Sequence, residues 1–81
     1  MFVEQRVRFT YPDALRDQPL IYRLIREYNV LTNILEARVT ADESWLVLAV
    51  RGEVEWVQRG LTWIAEQGVQ VEILGSIEEG T

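Results

Sequence analysis

A run of six apolar residues, 45–50, constrains the possible folds more than any other part of the sequence. Read as a strand, the run alternates so that Leu46 and Leu48 share one face while Trp45, Val47 and Ala49 share the other. A strand that is apolar on both faces is usually central in a sheet or covered on each side. The sequence therefore predicts a sheet with this strand in its interior.

Alternation of apolar and polar residues predicts three further strands, at residues 2–11, 30–40 and 69–73. Apolar residues at helical spacing predict two helices, one ending near Tyr28 and one beginning near residue 53. Asp17, followed by Pro19, predicts the start of the first helix. Asn29 and Gly68 are suited to the left-handed conformation that often ends a helix.

The predicted element order is β-α-β-β-α-β within about 75 residues, one domain by length. Right-handed crossovers then favour a four-stranded antiparallel sheet of order 4-1-3-2, an α+β arrangement with both helices on one face. We expect residues 1–75 to form this domain and residues 76–81 to form a flexible tail. The predicted core consists of Val7, Phe9, Leu24, Leu35, Val39, Leu48, Val57, Leu61 and Val71.

The face of the sheet without helices is predicted to carry an apolar patch. Ile34 falls among the residues that Glu36 and Arg38 assign to that face, and it is joined there by three residues of the apolar run, Trp45, Val47 and Ala49. Patches of this kind tend to mark contacts between proteins. We therefore predict a homodimer formed across this face or along the edge of the second strand. The alternative is ordinary surface apolarity around one tryptophan.

Composition excludes several classes of function. A net charge of −5, with the eight arginines dispersed along the chain, argues against nucleic-acid binding. Cysteine and histidine are absent, so we expect no disulfides, none of the usual metal or cofactor sites, and no catalysis by a thiol or an imidazole. The absence of disulfides leads us to expect a cytoplasmic location. The paired carboxylates are explained by a turn, a helix start and the tail, which predicts a non-enzyme. No apolar run is long enough to span a membrane.

Asn33 is the most unusual residue of the second strand, because its amide lies among large apolar neighbours. An unpaired buried amide costs about 1–3 kcal/mol, so Asn33 must find hydrogen-bonding partners or stay near water. The amide offers two donors and an acceptor. It could hold the charged backbone groups of an amino acid, or it could satisfy backbone groups where the first helix meets the second strand.

The tripeptide Asn33, Ile34 and Leu35 also carries a resemblance to a known family. Together with Ala37, Gly52 and the closing sequence Gly-Val-Gln-Val-Glu-Ile-Leu at residues 68–74, it resembles the NIL domain, which is named for the tripeptide. The likeness extends from the first strand to Leu74. It implies a ferredoxin-like, ACT-like fold, as found in the C-terminal regulatory domains of methionine ABC-importer ATPases, which dimerise and bind the transported amino acid.

The resemblance implies that Asn33, Ile34 and Leu35 lie on the ligand side or the dimer side. The chain has no Walker motif and no cysteine for an iron–sulfur module, so we expect it to act as a free-standing NIL domain protein. Two hypotheses follow. The first is a small regulatory module that binds a methionine-like amino acid as a homodimer. The second is an interaction adaptor that docks on an enzyme or transporter and binds no small molecule.

Overall fold

The computed structural model describes the backbone of residues 1–79 and the side chains of residues 1–77. The elements are β1 (Phe2–Thr10), α1 (Leu20–Tyr28), β2 (Leu31–Val39), β3 (Ser44–Glu53), α2 (Val54–Glu66) and β4 (Gln70–Glu79). A short 3-10 helix, Asp13–Leu15, precedes α1 and was not predicted. The order confirms the predicted βαββαβ sequence of elements.

The four strands form one sheet with β1 and β3 at its centre. Their spatial order is β2-β3-β1-β4, and all three neighbouring pairs are antiparallel. Read from the opposite edge, this is the predicted order 4-1-3-2. The two helices pack against each other, and α2 packs on β1, β3 and β4. The structure therefore confirms the α+β, ferredoxin-like arrangement.

The core lies between the helices and the facing side of the two central strands. The apolar run predicted to be interior supplies Leu48 and Val50 to it, and both are fully buried. Burying each such side chain contributes about 1.5–3 kcal/mol. The largest fully buried side chains are Phe9, Leu24, Leu48, Ile64, Val7, Val50 and Val57.

For two residues, the prediction that they lie in the core is wrong. Leu35 is 44% exposed and Val39 is 73% exposed. The physical reason is that β2 is an edge strand and the helices pack mainly over the other three strands. Alternation along a strand indicates which residues share a face, but it does not indicate how far a helix extends over that face.

Each edge strand contains one β-bulge. In β2 the register shifts between Ile34 and Glu36, so Leu35 is an extra residue without a partner in β3. In β4 the pairing with β1 shifts at one point, and Leu74 is the extra residue. A bulge shifts the alternation of side chains by one residue. In β2, odd-numbered residues face one side of the sheet before the bulge and the other side after it.

The helix ends are partly as predicted. Asn29 has the left-handed conformation, with φ 51° and ψ 47°, and Gly68 has φ 107°, so both predicted stop residues are confirmed. The predicted cap at Asp17 is wrong, because α1 begins after Pro19 and has no side-chain cap.

The C-terminal strand is longer than predicted. Residues 76–79, expected in a flexible tail, continue β4, and Ser76 pairs with Gln5 while Glu79 pairs with Phe2. The strand continues because β1 extends alongside it and offers free backbone partners. The rest of the expected tail, residues 80–81, lies outside the described residues.

Gly60 gives a test of how closely the two helices approach. A Cβ atom at this position would lie 2.6 Å from Leu24 Cδ1 and 3.4 Å from Tyr28 Cβ. We expect Gly60→Val to lower the free energy of unfolding by about 2 kcal/mol or more, because Leu24 is fully buried and has little room to move. Urea denaturation measures the change.

The matched control is Gly75→Val in β4, where an added Cβ meets no atom within 4 Å. We expect this change to alter the free energy of unfolding by no more than about 0.5 kcal/mol. Equal losses in the two variants would contradict a close helix contact at Gly60.

Candidate functional site

One side of the sheet carries no helix, and we call this side the open face. Paired residues of an antiparallel sheet point to the same side, so the register assigns each residue to a face. Leu31 of β2 pairs with Arg51 of β3, which pairs with Glu4 of β1. Asn33 pairs with Ala49, which pairs with Arg6. These residues therefore form two adjacent rows across the open face.

Asn33 lies in a shallow cavity of about 390 Å³ on the open face, which we call the Asn33 cavity. Ala49 is only 4% exposed, and its small side chain leaves space between the longer side chains around it. The cavity is lined by Glu4, Leu31, Thr32, Asn33, Ala49 and Arg51. It therefore combines an amide, two opposite charges and an apolar wall.

The charges around the Asn33 cavity alternate in sign. Glu4 lies between two arginines: its Oε1 atom is 3.9 Å from Arg51 Nε and its Oε2 atom is 3.6 Å from Arg6 Nε. The Glu4 side chain is 20% exposed, so water screens it less than a fully exposed carboxylate. A ligand with one positive and one negative group could meet an opposite charge at each end.

The Asn33 side chain is exposed to solvent, which is one of the two outcomes expected for an amide among apolar neighbours. The α1–β2 junction gives it no partner, because no described group, side chains of residues 1–77 included, hydrogen-bonds the Asn33 side chain. This geometry does not support the alternative in which Asn33 satisfies backbone groups. It leaves the amide available to a ligand.

Ile34 lies on the opposite side of the sheet from Asn33. It pairs with Leu48, whose side chain is in the core, and it is 54% exposed beyond the cover of the helices. The predicted patch of Ile34 with Trp45, Val47 and Ala49 is therefore not one surface. The error arises from the bulge at Leu35. The prediction assumed unbroken alternation from Ile34 to Glu36 and Arg38, and the extra residue places Ile34 on the opposite face from them.

The rest of the predicted patch is more covered than expected. Trp45 and Val47 are half-buried on the open face, and Ala49 is buried. The guanidinium of Arg8 lies 4.4 Å from the centre of the Trp45 ring, in the geometry of a cation–π contact. The sequence placed Arg8 on this face but did not indicate that it covers the tryptophan.

A second cavity, of about 270 Å³, lies on the helix side of the sheet, between the start of α1, the end of β2 and the start of β3. We call it the α1 cleft. Its lining includes Tyr11, Arg16, Tyr22, Val39 and Leu46. Sequence reasoning missed this cleft because its residues come from distant segments and form no motif. Burial raises the pKa of the Tyr11 phenol above its ordinary value.

Among the described side chains, those of residues 1–77, no group of three acidic residues is placed to hold a metal ion. Neither described helix is long and apolar enough to cross a membrane.

Comparison with known proteins gives one family. A family model described as the NIL domain matches residues 5–73. The methionine import ATP-binding protein MetN 1 of Enterococcus faecalis is 29% identical over 80 residues, which is 94% of this chain and 22% of that protein. The methionine import ATP-binding protein MetN of Helicobacter hepaticus is 34% identical, with the same shares covered. The chain spans about a fifth of the length of these relatives.

Solved structures show the same fold. The C-terminal domain of an ABC transporter/ATP-binding protein from Enterococcus faecalis superposes with a TM-score of 0.78 at 20% identity, covering 88% of this chain and 83% of that one. A de novo designed protein, Foldit4, superposes with a TM-score of 0.64 at 17% identity, covering 99% and 100%.

The Tyr11 phenol gives a prediction about alkaline pH. Because its pKa is higher in the folded chain than in the unfolded chain, its contribution to stability is complete below about pH 10 and is lost as the pH rises through the folded pKa. We expect part of the fall in unfolding free energy above pH 10 to disappear in Tyr11→Phe. Urea denaturation at several pH values measures it.

The exposed Tyr22 supplies the control for this titration. Tyr22→Phe is expected to keep the alkaline fall, since Tyr22 is 61% exposed. If Tyr11→Phe loses stability above pH 10 in parallel with the unaltered protein, the burial of the phenol is not the cause.

Proposed function

The chain belongs to the NIL domain family, and from that premise we propose that it is a non-catalytic regulatory module that binds an amino acid of the methionine type. The proposal places the ligand in the Asn33 cavity and the protein in the cytoplasm as a homodimer. The observation that carries it is the free Asn33 amide beside Glu4 and Arg51 on the open face. The relatives' names supply the ligand class, since both are methionine import proteins.

The cavity offers a partner to each part of an amino acid. In the proposed complex, Arg51 pairs with the α-carboxylate and Glu4 pairs with the α-ammonium group. Asn33 donates to the carboxylate and accepts from the ammonium, because an amide has both functions. Leu31, which is 63% exposed, lies along the apolar side chain of the ligand and loses contact with water there.

The proposed homodimer forms along β2. The outer edge of this strand has no neighbour among residues 1–79, and an unpaired edge can add a strand from a second copy. Four large apolar side chains of β2 are at least 44% exposed: Leu31, Ile34, Leu35 and Val39. Because consecutive residues of a strand point to opposite faces, Ile34 lies on the other side of the sheet from Asn33, and such an interface lies beside the Asn33 cavity without filling it.

The proposed output is a change in a protein partner, such as an importer ATPase or another enzyme. The alternative function is an adaptor that docks on such a partner and binds no small molecule. The exposed apolar residues of β2 are compatible with both functions, whereas the unpaired Asn33 amide favours ligand binding. Binding measurements separate them.

The first prediction concerns Asn33. We expect isothermal calorimetry to detect methionine binding, and we expect Asn33→Ala to weaken it about tenfold, because a hydrogen bond to a charged group contributes about 1.5–3 kcal/mol. Gln70→Ala is the matched control, since Gln70 pairs with Thr10 at the far corner of the open face. Its affinity for methionine should be unchanged.

The same calorimetric measurement can favour the adaptor function over ligand binding. If methionine and related amino acids give no heat at millimolar concentration, and the melting temperature does not change, the ligand-binding proposal is wrong.

The second prediction concerns the homodimer. We expect analytical ultracentrifugation of the unaltered protein at micromolar concentration to show a dimer, and Ile34→Arg to shift it to monomer, because a charge in an apolar interface is costly to desolvate. Ile77→Arg on the opposite edge is the matched control, since Ile77 is 53% exposed and Ile34 is 54% exposed. Only monomer in the unaltered protein, or equal effects of the two changes, would contradict an interface at β2.

A further inference from the structure

The α1 cleft lies on the other side of the sheet from the Asn33 cavity. Its β2 wall is formed by Ala37 and Val39, which follow the bulge and pair with Leu46 and Ser44 on the helix side. The family tripeptide does not reach it. A ligand in the α1 cleft would therefore be a second ligand, which could bind whether or not the Asn33 cavity is filled.

The walls of the α1 cleft are mainly apolar and partly exposed to water. Leu20 and Leu46 lie at its inner end, whereas Ala37 and Val39 are exposed at its outer end, beyond the cover of α1. A small molecule placed there would remove apolar surface of both partners from water, which is favourable. The volume, about 270 Å³, suits a compact ligand.

Arg16 is the charged residue of the α1 cleft, and the fold holds it in place. Its Nη2 atom donates to the Thr40 carbonyl at 2.8 Å. Its Nε atom is buried and lies 3.3 Å from Asp13 Oδ1, but it makes no hydrogen bond. The Asp13 side chain is 89% exposed, so water screens its charge and it offsets the guanidinium only weakly.

The remaining polar groups of the cleft carry no negative charge. Tyr11 offers a phenol hydroxyl, and the other polar side chains are those of Gln18, Tyr22 and Ser44. Within the described part of the chain, no Asp or Glu lines the cleft. The cleft is thus positive on a protein whose net charge is −5, so it complements an anion.

From this charge and shape we infer that the α1 cleft binds a small aliphatic carboxylate that has no amino group. Arg16 pairs with the carboxylate, the Tyr11 hydroxyl donates a second hydrogen bond, and the aliphatic chain lies against Leu46 and Val39. The lining of the cleft holds no carboxylate for an α-ammonium group, and the Asp13 carboxylate beside Arg16 is exposed to water, whereas the lining of the Asn33 cavity includes Glu4. The two cavities therefore distinguish an amino acid from its deaminated counterpart.

Three probes with one carbon skeleton test this inference: 4-methylpentanoate, its neutral amide 4-methylpentanamide, and leucine, which adds the amino group. Backbone amide chemical shifts of the full chain are followed by NMR during titration of each probe. We expect saturable shifts around residues 20–22, 39 and 46 with 4-methylpentanoate. We expect binding about tenfold weaker at these positions with the amide, because it has no negative charge for Arg16, and with leucine, because its ammonium group has no negative partner in the cleft.

Two variants assign the binding to the cleft. Arg16→Gln should abolish the preference for the carboxylate over the amide, and Arg59→Gln on α2, where the guanidinium lies over Trp56, should leave it intact. Ala37→Leu adds volume at an exposed position of the wall and should weaken all three probes. Ala37→Leu keeps the inference testable if Arg16→Gln disturbs the fold by removing the Arg16 hydrogen bond to Thr40.

Several outcomes would overturn the inference. These are equal binding of 4-methylpentanoate and its amide, no saturation at millimolar concentration, or shifts confined to residues 31–33 and 49 of the open face. The result is independent of the proposed amino-acid site, because that site is tested by methionine and Asn33→Ala. Either site can fail while the other succeeds.

Discussion

The bulge at Leu35 is the constraint on which both cavities depend. Before it, β2 presents Asn33 to the open face; after it, the same strand presents Ala37 and Val39 to the helix side. Without the extra residue, the alternation would continue from Asn33, and the charged Glu36 and Arg38 would face the helix side in place of Ala37 and Val39. A single unpaired residue thus gives the α1 cleft an apolar β2 wall while Asn33 stays on the open face.

The two cavities differ in how their charge is arranged. On the open face, Glu4 and Arg51 lie close together and leave both signs within reach of Asn33. In the α1 cleft, the counter-charge of Arg16 is Asp13, which lies 3.3 Å away but is 89% exposed and does not line the cleft, and the surroundings are mainly apolar. Opposite faces of one thin sheet therefore offer different chemistry.

Most of the fold could be predicted from the sequence, because its signals are local. The fully apolar run marked β3 as central, and Asn29 and Gly68 marked helix ends by their conformational preference. The site could be predicted only in part. Asn33 was identified, but the face of Ile34 depends on a bulge that no residue type in the sequence indicates. The α1 cleft could not be predicted, because its lining residues, such as Arg16 and Val39, are brought together only by the fold.

The edge bulges also bear on the solubility of the protein. β2 is divided into two short regular stretches around Leu35, and β4 is interrupted in the same way at Leu74. An uninterrupted edge would allow copy after copy to join into a growing fibril. Edges that offer only a few aligned backbone groups limit such growth, so the two bulges lower the risk of aggregation at the apolar edges of the sheet.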